Sequence, residues 1–133
     1  MPNFSLKNYE KEYFSRVQKI DIWLFWVWPD GHTCSLFPDH KLLDDELFWY
    51  LKITDSPKPP STRITISKKM LQATKYAFIF FMWESKREAL ENFKNVLISY
   101  KSCPVKLVLD CENVYEFSDL YKKDNLWENY IKS

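Results

Sequence analysis

Two apolar runs limit the folds open to this chain more than any other feature. Residues 22–28 have the sequence IWLFWVW, and residues 76–83 have the sequence YAFIFFMW. Both runs are rich in aromatic and β-branched residues, which favours strands buried inside a parallel sheet. Both are far shorter than the ~20 residues that a membrane helix requires. We therefore predict two strands, over residues 20–28 and 76–83, each covered on both faces.

Helical and loop segments separate these runs. The spacing of Tyr9, Tyr13 and Val17 predicts a helix over residues 7–19. Ser67 is a suitable N-cap for a helix over residues 68–74. Three prolines within residues 55–60 exclude a regular element there. Further helices are predicted over residues 41–48, over residues 84–100 and in a tail from residue 118, and further strands over residues 49–54, 63–66, 105–109 and 114–117.

Buried strands that alternate with helices predict an α/β fold, with a mostly parallel sheet flanked by helices. We expect one domain over residues 1–133. In such sheets, ligands bind at the carboxyl ends of the strands. The loops that follow residues 28 and 83 lie at such ends, so the chemistry of the chain is expected in these two loops.

Charge and cysteine content exclude several classes of function. Nineteen basic and eighteen acidic residues give a net charge of +1, so we expect no nucleic-acid partner and no membrane partner. Cys34, Cys103 and Cys111 have no metal-ligand spacing, which favours reduced thiols in a cytoplasmic protein. The first twenty residues scatter charges where a signal peptide would need an apolar core. We expect a soluble protein.

The turn after the first run carries Asp30, Gly31, His32 and Thr33 in succession. A histidine titrates near neutral pH, so it can take a proton from water and return it to a leaving oxygen. Asp30 is close enough in sequence to influence the imidazole. Two interpretations remain open on these residues alone: an Asp-Gly surface turn with an exposed imidazole, or the rim of an active site with His32 as general base.

Arg63 and Lys86 are candidate ligands for an anionic group such as phosphate. Lys86 opens a predicted helix directly after a buried strand, where backbone N–H groups also favour anions. In a chain with nineteen basic residues, either side chain is also explained as a solvated surface charge. The residues therefore indicate a site for an anion of sugar-phosphate size beside a histidine base, and they do not name a reaction.

Three segments resemble one enzyme family. The loop PDGHTCSLFP (residues 29–38), the segment TDSPKPPSTRITIS (residues 54–67) and the segment ESKREAL (residues 84–90) resemble motifs of the 6-phosphogluconolactonases. Weaker similarity extends back to Tyr9 and Glu10 and forward from Pro104 to about Asp119. The resemblance implies a Rossmann-like lactonase/isomerase fold and covers most of the chain.

This resemblance implies a reaction and a set of roles. The reaction is hydrolysis of 6-phosphoglucono-1,5-lactone to 6-phosphogluconate in the pentose phosphate pathway, without a metal or an organic cofactor. His32 would be the general base, with Asp30 holding its imidazole. Arg63 and Lys86 would bind phosphate, and the substrate would also contact Gly31 and Thr33. Two alternatives are a catalytically inactive half-domain with an interaction or structural role, and an isomerase of amino-sugar phosphates.

The chain also departs from the family pattern. Trp26, Trp28 and Trp83 stand where the family carries glycine, and each indole would either fill the pocket or displace its loop. A complete lactonase domain is nearly twice as long, so the resemblance implies the C-terminal half only. The missing N-terminal half or a fused dehydrogenase domain is then an expected partner. Without it, strands such as residues 22–28 would show an uncovered edge or face.

Overall fold

A computed structural model describes residues 5–17 and 20–121 of the protein. It contains a three-stranded parallel sheet and a separate antiparallel pair of strands. The predicted α/β class, with a parallel sheet flanked by helices, is confirmed. None of the helices in these ranges is long and apolar enough to cross a membrane. The elements in chain order are α1 (Leu6–Arg16), β1 (Ile22–Trp26), β2 (Tyr50–Ile53), β3 (Arg63–Ile66), α2 (Lys68–Gln72), β4 (Tyr76–Phe81), α3 (Arg87–Lys94) and β5 (Asn113–Ser118).

The strand order of the parallel sheet is β1-β4-β5. Trp26 of β1 is the register partner of Phe80 in β4, and Phe80 is the partner of Phe117 in β5. Because neighbouring parallel strands end at the same edge, the loops after β1 and β4 start side by side. The expectation that these two loops are neighbours is confirmed.

One face of the parallel sheet forms the core. Phe25, Ile79 and Phe81 point to this face and are at most 1% exposed. The ring of Phe81 packs against Phe93 of α3, with 5.3 Å between ring centroids. Leu90 of α3 is also buried in this cluster. Helix α3 thus covers the sheet with a narrow apolar stripe, as an amphipathic helix does.

The opposite face of the parallel sheet is open within the described part of the chain. Ile22, Leu24 and Trp26 alternate with the buried residues of β1 and are 60%, 65% and 41% exposed. The prediction that residues 20–28 form a strand covered on both faces is therefore wrong, and the strand itself spans only five residues. Side chains of successive residues point to opposite faces of a strand, and here both sets are apolar. The open face agrees with the uncovered face expected for a half-domain.

Aromatic rings continue this open face across the other two strands. Phe78 stacks on Tyr115 with 5.0 Å between centroids, and Phe80 stacks on Phe117 at 5.3 Å. The strands are in register, so each aromatic pair comes from directly paired residues. These contacts stabilise the sheet although one side of each ring remains uncovered.

The prediction of a single helix over residues 84–100 is wrong. A 3-10 turn, Glu84–Lys86, precedes α3, and α3 ends at Lys94. The side chain of Asn95 accepts a hydrogen bond from the N–H of Leu97 at 2.9 Å, which favours a turn over another helical turn. Lys106 donates to the carbonyl oxygens of Asn95 and Ile98, both at 2.5 Å, and so fixes the turn that follows the helix.

Two shorter predictions also fail. Residues 105–109 lie in a 3-10 helix, Pro104–Asp110, and not in a strand. Pro104 occupies its first turn, a position that suits the fixed φ of proline. Residues 41–48 form only a 3-10 helix, Lys41–Asp44, because Asp45 accepts from the N–H of Leu47 at 2.8 Å and starts a turn.

The remaining predicted elements are present with small shifts of their ends. Helix α2 follows Ser67, whose hydroxyl accepts from the N–H of Met70 as the N-cap rule predicts. Strands β2, β3, β4 and β5 lie within or close to their predicted ranges. Helix α1 begins at Leu6, one residue before its predicted start, and ends at Arg16 instead of residue 19. The predicted tail helix overlaps β5 at residue 118 and otherwise lies mostly outside the described residues.

Trp83 follows β4 with an unusual backbone conformation. Its φ is 71° and its ψ is 152°, a region that is almost restricted to glycine. The indole itself is 61% exposed and packs edge-on against Trp26 at 5.2 Å. The chain therefore carries a bulky residue at a position whose backbone favours glycine.

This strain predicts an inverted order of stability. Trp83→Gly should unfold with a free energy about 1–2 kcal/mol higher than Trp83→Ala, because only glycine removes the backbone strain. At Trp26, which lies in β1, the order should be reversed. Trp26→Ala should be more stable than Trp26→Gly by about 0.5–1 kcal/mol, because glycine destabilises the interior of a strand. Urea denaturation of the four variants measures both differences. The same order at both positions would contradict a strained backbone at Trp83.

Candidate active site

The loop after β1 begins with a tight turn that requires its glycine. The N–H of Gly31 donates to the carbonyl of Trp28 at 2.8 Å, and the N–H of Trp28 donates to the carbonyl of His32 at 3.1 Å. Gly31 has a φ of 77°. A Cβ at this residue would lie 2.9 Å from Sγ of Cys103, closer than real contacts allow. Val105 donates to the carbonyl of Gly31 at 2.9 Å and fixes the turn from the other side.

This turn brings Asp30 and His32 together. Nδ1 of His32 lies 2.6 Å from Oδ1 of Asp30, and the same oxygen accepts the His32 N–H at 3.3 Å. His32 is only 2% exposed, so the prediction of an exposed imidazole on a surface turn is wrong. Its ring lies between Trp28, which stacks at 5.4 Å and 7°, and Phe37 at 4.5 Å. No hydrogen bond from a described residue reaches Nε2 of His32.

Electrostatics in this pair favour a neutral imidazole beside a charged carboxylate. Burial is the largest influence on His32 and lowers its pKa; the hydrogen bond to Asp30 opposes this shift, and the charges of Lys58 and Arg63 add to it. For Asp30, partial burial disfavours the charged form, but hydrogen bonds from His32 and Lys58 outweigh it and lower the pKa. A neutral histidine with one nitrogen on a carboxylate can accept a proton at the other.

Lys58 is a member of this site that the sequence interpretation missed. Its Nζ lies 3.0 Å from Oδ2 of Asp30 and 5.5 Å from the centroid of the Trp28 ring. Lys58 belongs to the DSPKPP segment, which the resemblance singled out without giving the lysine a role. A lysine inside a rigid proline-rich loop was the available signal, because such a loop holds its side chains in place.

Arg63, a predicted phosphate ligand, lies at the start of β3 and binds the proline-rich loop. Its Nε donates to the carbonyl of Pro60 at 3.0 Å, and its Nη2 donates to the carbonyls of Lys58 at 3.1 Å and Pro59 at 2.7 Å. The guanidinium lies over the ring of Phe37 at 5.6 Å. The ring of Phe37 therefore contacts both Arg63 and His32. The loop already engages the Nε and Nη2 atoms of the Arg63 guanidinium.

Lys86, the second predicted phosphate ligand, is buried at the loop after β4. It is 5% exposed, and its Nζ lies 5.3 Å from the centroid of the Trp28 ring. Burial is the main cause that lowers its pKa, and the charge of Lys58 adds to the effect. Within residues 5–17 and 20–121, no hydrogen bond or ion pair of its ammonium is present. The charge of Asp30 offsets only part of this desolvation, so an anion bound beside the ammonium would be favourable.

Thr33, a predicted substrate contact, is 1% exposed. Its hydroxyl donates to the carbonyl of Trp26 at 3.0 Å and ties the loop to the end of β1. The structure thus brings Asp30, His32 and Lys86 together around Trp28. Gly31 and Thr33 stabilise the loop that carries Asp30 and His32.

The three tryptophans do not act alike. Trp28 lies flat against His32 and is 46% exposed, so it shields the imidazole on one side. Trp26 and Trp83 pack against each other on the open face of the sheet. Trp28 therefore covers part of the pocket beside His32. Trp83, in contrast, keeps its loop in a backbone conformation that suits glycine.

A cavity of about 330 Å³ lies elsewhere, between α1, β1 and the antiparallel pair. It contains none of the predicted site residues. Its Cys34 thiol has a pKa raised to about 12 by burial, which makes it a poor nucleophile. The cavity is lined by Tyr9, Trp23, Cys34, Ser35, Tyr50, Ile64, Thr65 and Ile66.

Comparison with known proteins shows the family of this chain. The family described as glucosamine-6-phosphate isomerases/6-phosphogluconolactonase matches residues 2–116. The chain is similar to the 6-phosphogluconolactonase of Borreliella burgdorferi, with 33% identity over 121 residues, 91% of this chain and 52% of the relative. It is similar to the human 6-phosphogluconolactonase, with 38% identity over 89 residues, 67% of this chain and 33% of the relative.

Solved structures agree on the fold. The crystal structure of 6-phosphogluconolactonase from Leishmania guyanensis superposes with a TM-score of 0.70 at 21% identity, over 85% of this chain and 48% of that one. The 6-phosphogluconolactonase from Thermotoga maritima gives 0.68 at 21% identity, over 85% and 49%. The chain thus spans about half the length of these two proteins and of the Borreliella burgdorferi relative. Since the family match extends over most of its 133 residues, the chain belongs to the glucosamine-6-phosphate isomerase/6-phosphogluconolactonase family.

Proposed function

We propose that this chain carries the general base of a 6-phosphogluconolactonase and hydrolyses 6-phosphoglucono-1,5-lactone to 6-phosphogluconate. One observation supports this most: Nδ1 of His32 lies 2.6 Å from Asp30, at the carboxyl end of a parallel strand, with no described partner on Nε2. The names of the relatives from Borreliella burgdorferi and human supply the reaction.

The proposed mechanism moves one proton through Nε2 of His32. The neutral imidazole takes a proton from water as its oxygen attacks the lactone carbonyl carbon. Asp30, which binds Nδ1, stabilises the imidazolium that forms. When the tetrahedral intermediate collapses, the bond between the carbonyl carbon and the ring oxygen breaks, and the imidazolium returns its proton to that oxygen. One water is consumed and the histidine is neutral again.

Lys86 is the best-supported phosphate ligand in this proposal. Desolvation disfavours its charged form, and no described carboxylate lies within ion-pair distance of it, so a phosphate dianion would supply a closer counter-charge. Arg63 can add to this attraction through its charge, although its Nε and Nη2 are engaged by the loop. Gly31 and Thr33 contact the substrate, in this proposal, from the loop that carries His32.

A second candidate function is binding without catalysis. The observation that favours it is the stacking of Trp28 on His32, which leaves the imidazole 2% exposed. A water molecule needs access to Nε2 for the hydrolysis above. If Trp28 keeps that access closed, the chain retains the family fold as a structural or interaction module, and the rate of lactone hydrolysis will not depend on His32.

Replacement of His32 separates these two functions. His32→Asn should lower the lactonase rate by roughly 10²–10⁴, the usual contribution of a general base. The rate is measured by coupling 6-phosphogluconate to its dehydrogenase, after subtraction of spontaneous hydrolysis. The activity of the unaltered chain should hold below pH 6.5, the ordinary histidine value, because burial lowers the pKa of His32 and keeps it neutral.

The matched control is His40→Asn. His40 is the other histidine of the chain and also contacts a carboxylate, with Nε2 3.1 Å from Asp55. This variant should keep the parent rate. A folded His32→Asn protein with the parent rate would reject His32 as the base and would support the binding module.

Lys86→Met should separate ligand binding from stability. Loss of a charge-assisted bond should weaken 6-phosphogluconate by about 1.5–3 kcal/mol and leave gluconate almost unaffected. The same variant should unfold at higher urea concentration, because desolvation lowers the pKa of Lys86 and disfavours its charge in the folded chain. Calorimetry and urea denaturation measure the two effects. Lys52→Met, at an exposed position of β2, is the control and should change neither. Equal weakening of both ligands would contradict a phosphate role.

A further inference from the structure

We propose that Lys58 is a positioning residue that holds Asp30 in the orientation required by His32, and that Arg63 holds Lys58 by binding its loop. This inference rests on the proposed function of His32, and it assigns Arg63 a role distinct from phosphate binding. It concerns two residues from the antiparallel part of the fold that act on a pair in the parallel part.

The two oxygens of the Asp30 carboxylate have different partners. Oδ1 lies 2.6 Å from Nδ1 of His32, and Oδ2 lies 3.0 Å from Nζ of Lys58. A carboxylate bound at one oxygen can rotate about its terminal torsion, which has a broad energy profile. A second partner at the other oxygen restricts that rotation. Lys58 and Asp30 are both more than a third exposed, so the pair adds little to stability and its effect is on geometry.

The loop of Lys58 is fixed from inside and from its end. The hydroxyl of Ser56 donates to the carbonyl of Lys58 at 2.7 Å, and the N–H of Lys58 donates back to that hydroxyl at 3.3 Å. Arg63 then donates to three successive carbonyls of the loop, those of Lys58, Pro59 and Pro60. A planar guanidinium presents several donors in a rigid fork, which a lysine ammonium cannot reproduce.

These contacts connect the antiparallel pair to the active loop. Arg63 opens β3, and its register partner is Ile53 of β2. Lys58 lies in the connection between these two strands and reaches Asp30 in the loop after β1. The hydroxyl of Thr65 adds a second link, since it accepts from the N–H of Ser35 at 3.1 Å. The position of Asp30 is thus set from two directions.

The charged groups around His32 make this arrangement measurable. Asp30 faces its Nδ1, Lys58 lies on the far oxygen of Asp30, and Arg63 lies on the other side of Phe37. Lys86 contacts the Trp28 ring that covers the imidazole. Loss of the Lys58 charge removes a repulsion from the imidazolium, so the titration midpoint of His32 must rise. Release of Asp30 also loosens its contact with Nδ1, so the neutral ring should carry its proton on either nitrogen instead of on Nδ1 alone.

The experiment is an NMR titration of the two imidazoles in the parent chain and its variants. His40 is the only other histidine, and its variant His40→Asn assigns the signals. Lys58→Met should move the midpoint of His32 to higher pH and should mix the two tautomers of its neutral ring, which the nitrogen shifts report. Lys58→Arg should restore both, because arginine can also pair with a carboxylate. Arg63→Lys keeps its charge and should mix the tautomers as Lys58→Met does. Lys52→Met removes the same charge from an exposed site in β2 and should have no effect.

His40 also serves as an internal reference for loop damage. It binds Asp55 at the start of the same loop, so its signals should stay in place when only the Lys58 charge is lost. A His32 ring that keeps its proton on Nδ1 in Lys58→Met overturns the positioning role of Lys58 even where the midpoint rises, and so do equal changes in Lys58→Met and Lys52→Met. A ring that keeps its proton on Nδ1 in Arg63→Lys overturns the role of Arg63. The readout needs no turnover, so it stands apart from the failure or success of the lactonase assay.

Discussion

The parallel pairing of β1 with β4 determines where the chemistry of this protein lies. Trp26 and Phe80 are register partners, and the N–H of Val27 continues the ladder to the carbonyl of Phe80 at 3.3 Å. The two strands therefore end together. One loop presents Asp30 and His32, and the other presents Lys86, around the single ring of Trp28. A shift of this register by one residue would move the base away from the cation and would exchange the buried and exposed side chains of one strand.

Several features of the site lower the stability of the fold and suit a functional role. Desolvation disfavours the charge of Lys86, the rings of Trp28 and Phe37 pack against His32, and Trp83 adopts a backbone suited to glycine. Strained backbone and buried polar groups persist where surrounding structure determines them and often mark functional regions. The only glycine of the chain, Gly31, stands where a side chain would meet Cys103. The sequence thus retains glycine where packing leaves no room for a side chain.

Local patterns predicted the strands and the site loop, but not the exposure of the sheet. The apolar runs located β1 and β4 because strands of this kind need little beyond β-branched and aromatic residues. The resemblance implied an uncovered edge or face, but the pattern could not show which side chains lie on it, because Leu24 and Phe25 are equally apolar and no alternation distinguishes them. The pairing of Lys58 with Asp30 also escaped it, since it joins loops about 30 residues apart in sequence, and the contacts of Arg63 depend on the folded shape of the loop before it.

The tautomer of the neutral His32 ring shows whether Asp30 leaves Nε2 free to accept a proton. If Asp30 holds Nδ1, the neutral ring carries its proton on Nδ1 and leaves Nε2 as the acceptor that a general base requires. Long-range proton–nitrogen NMR correlations above the titration midpoint distinguish the two nitrogens. Our account predicts a protonated Nδ1 and an unprotonated Nε2 for His32. A proton on Nε2, in a folded protein at the same pH, would contradict it.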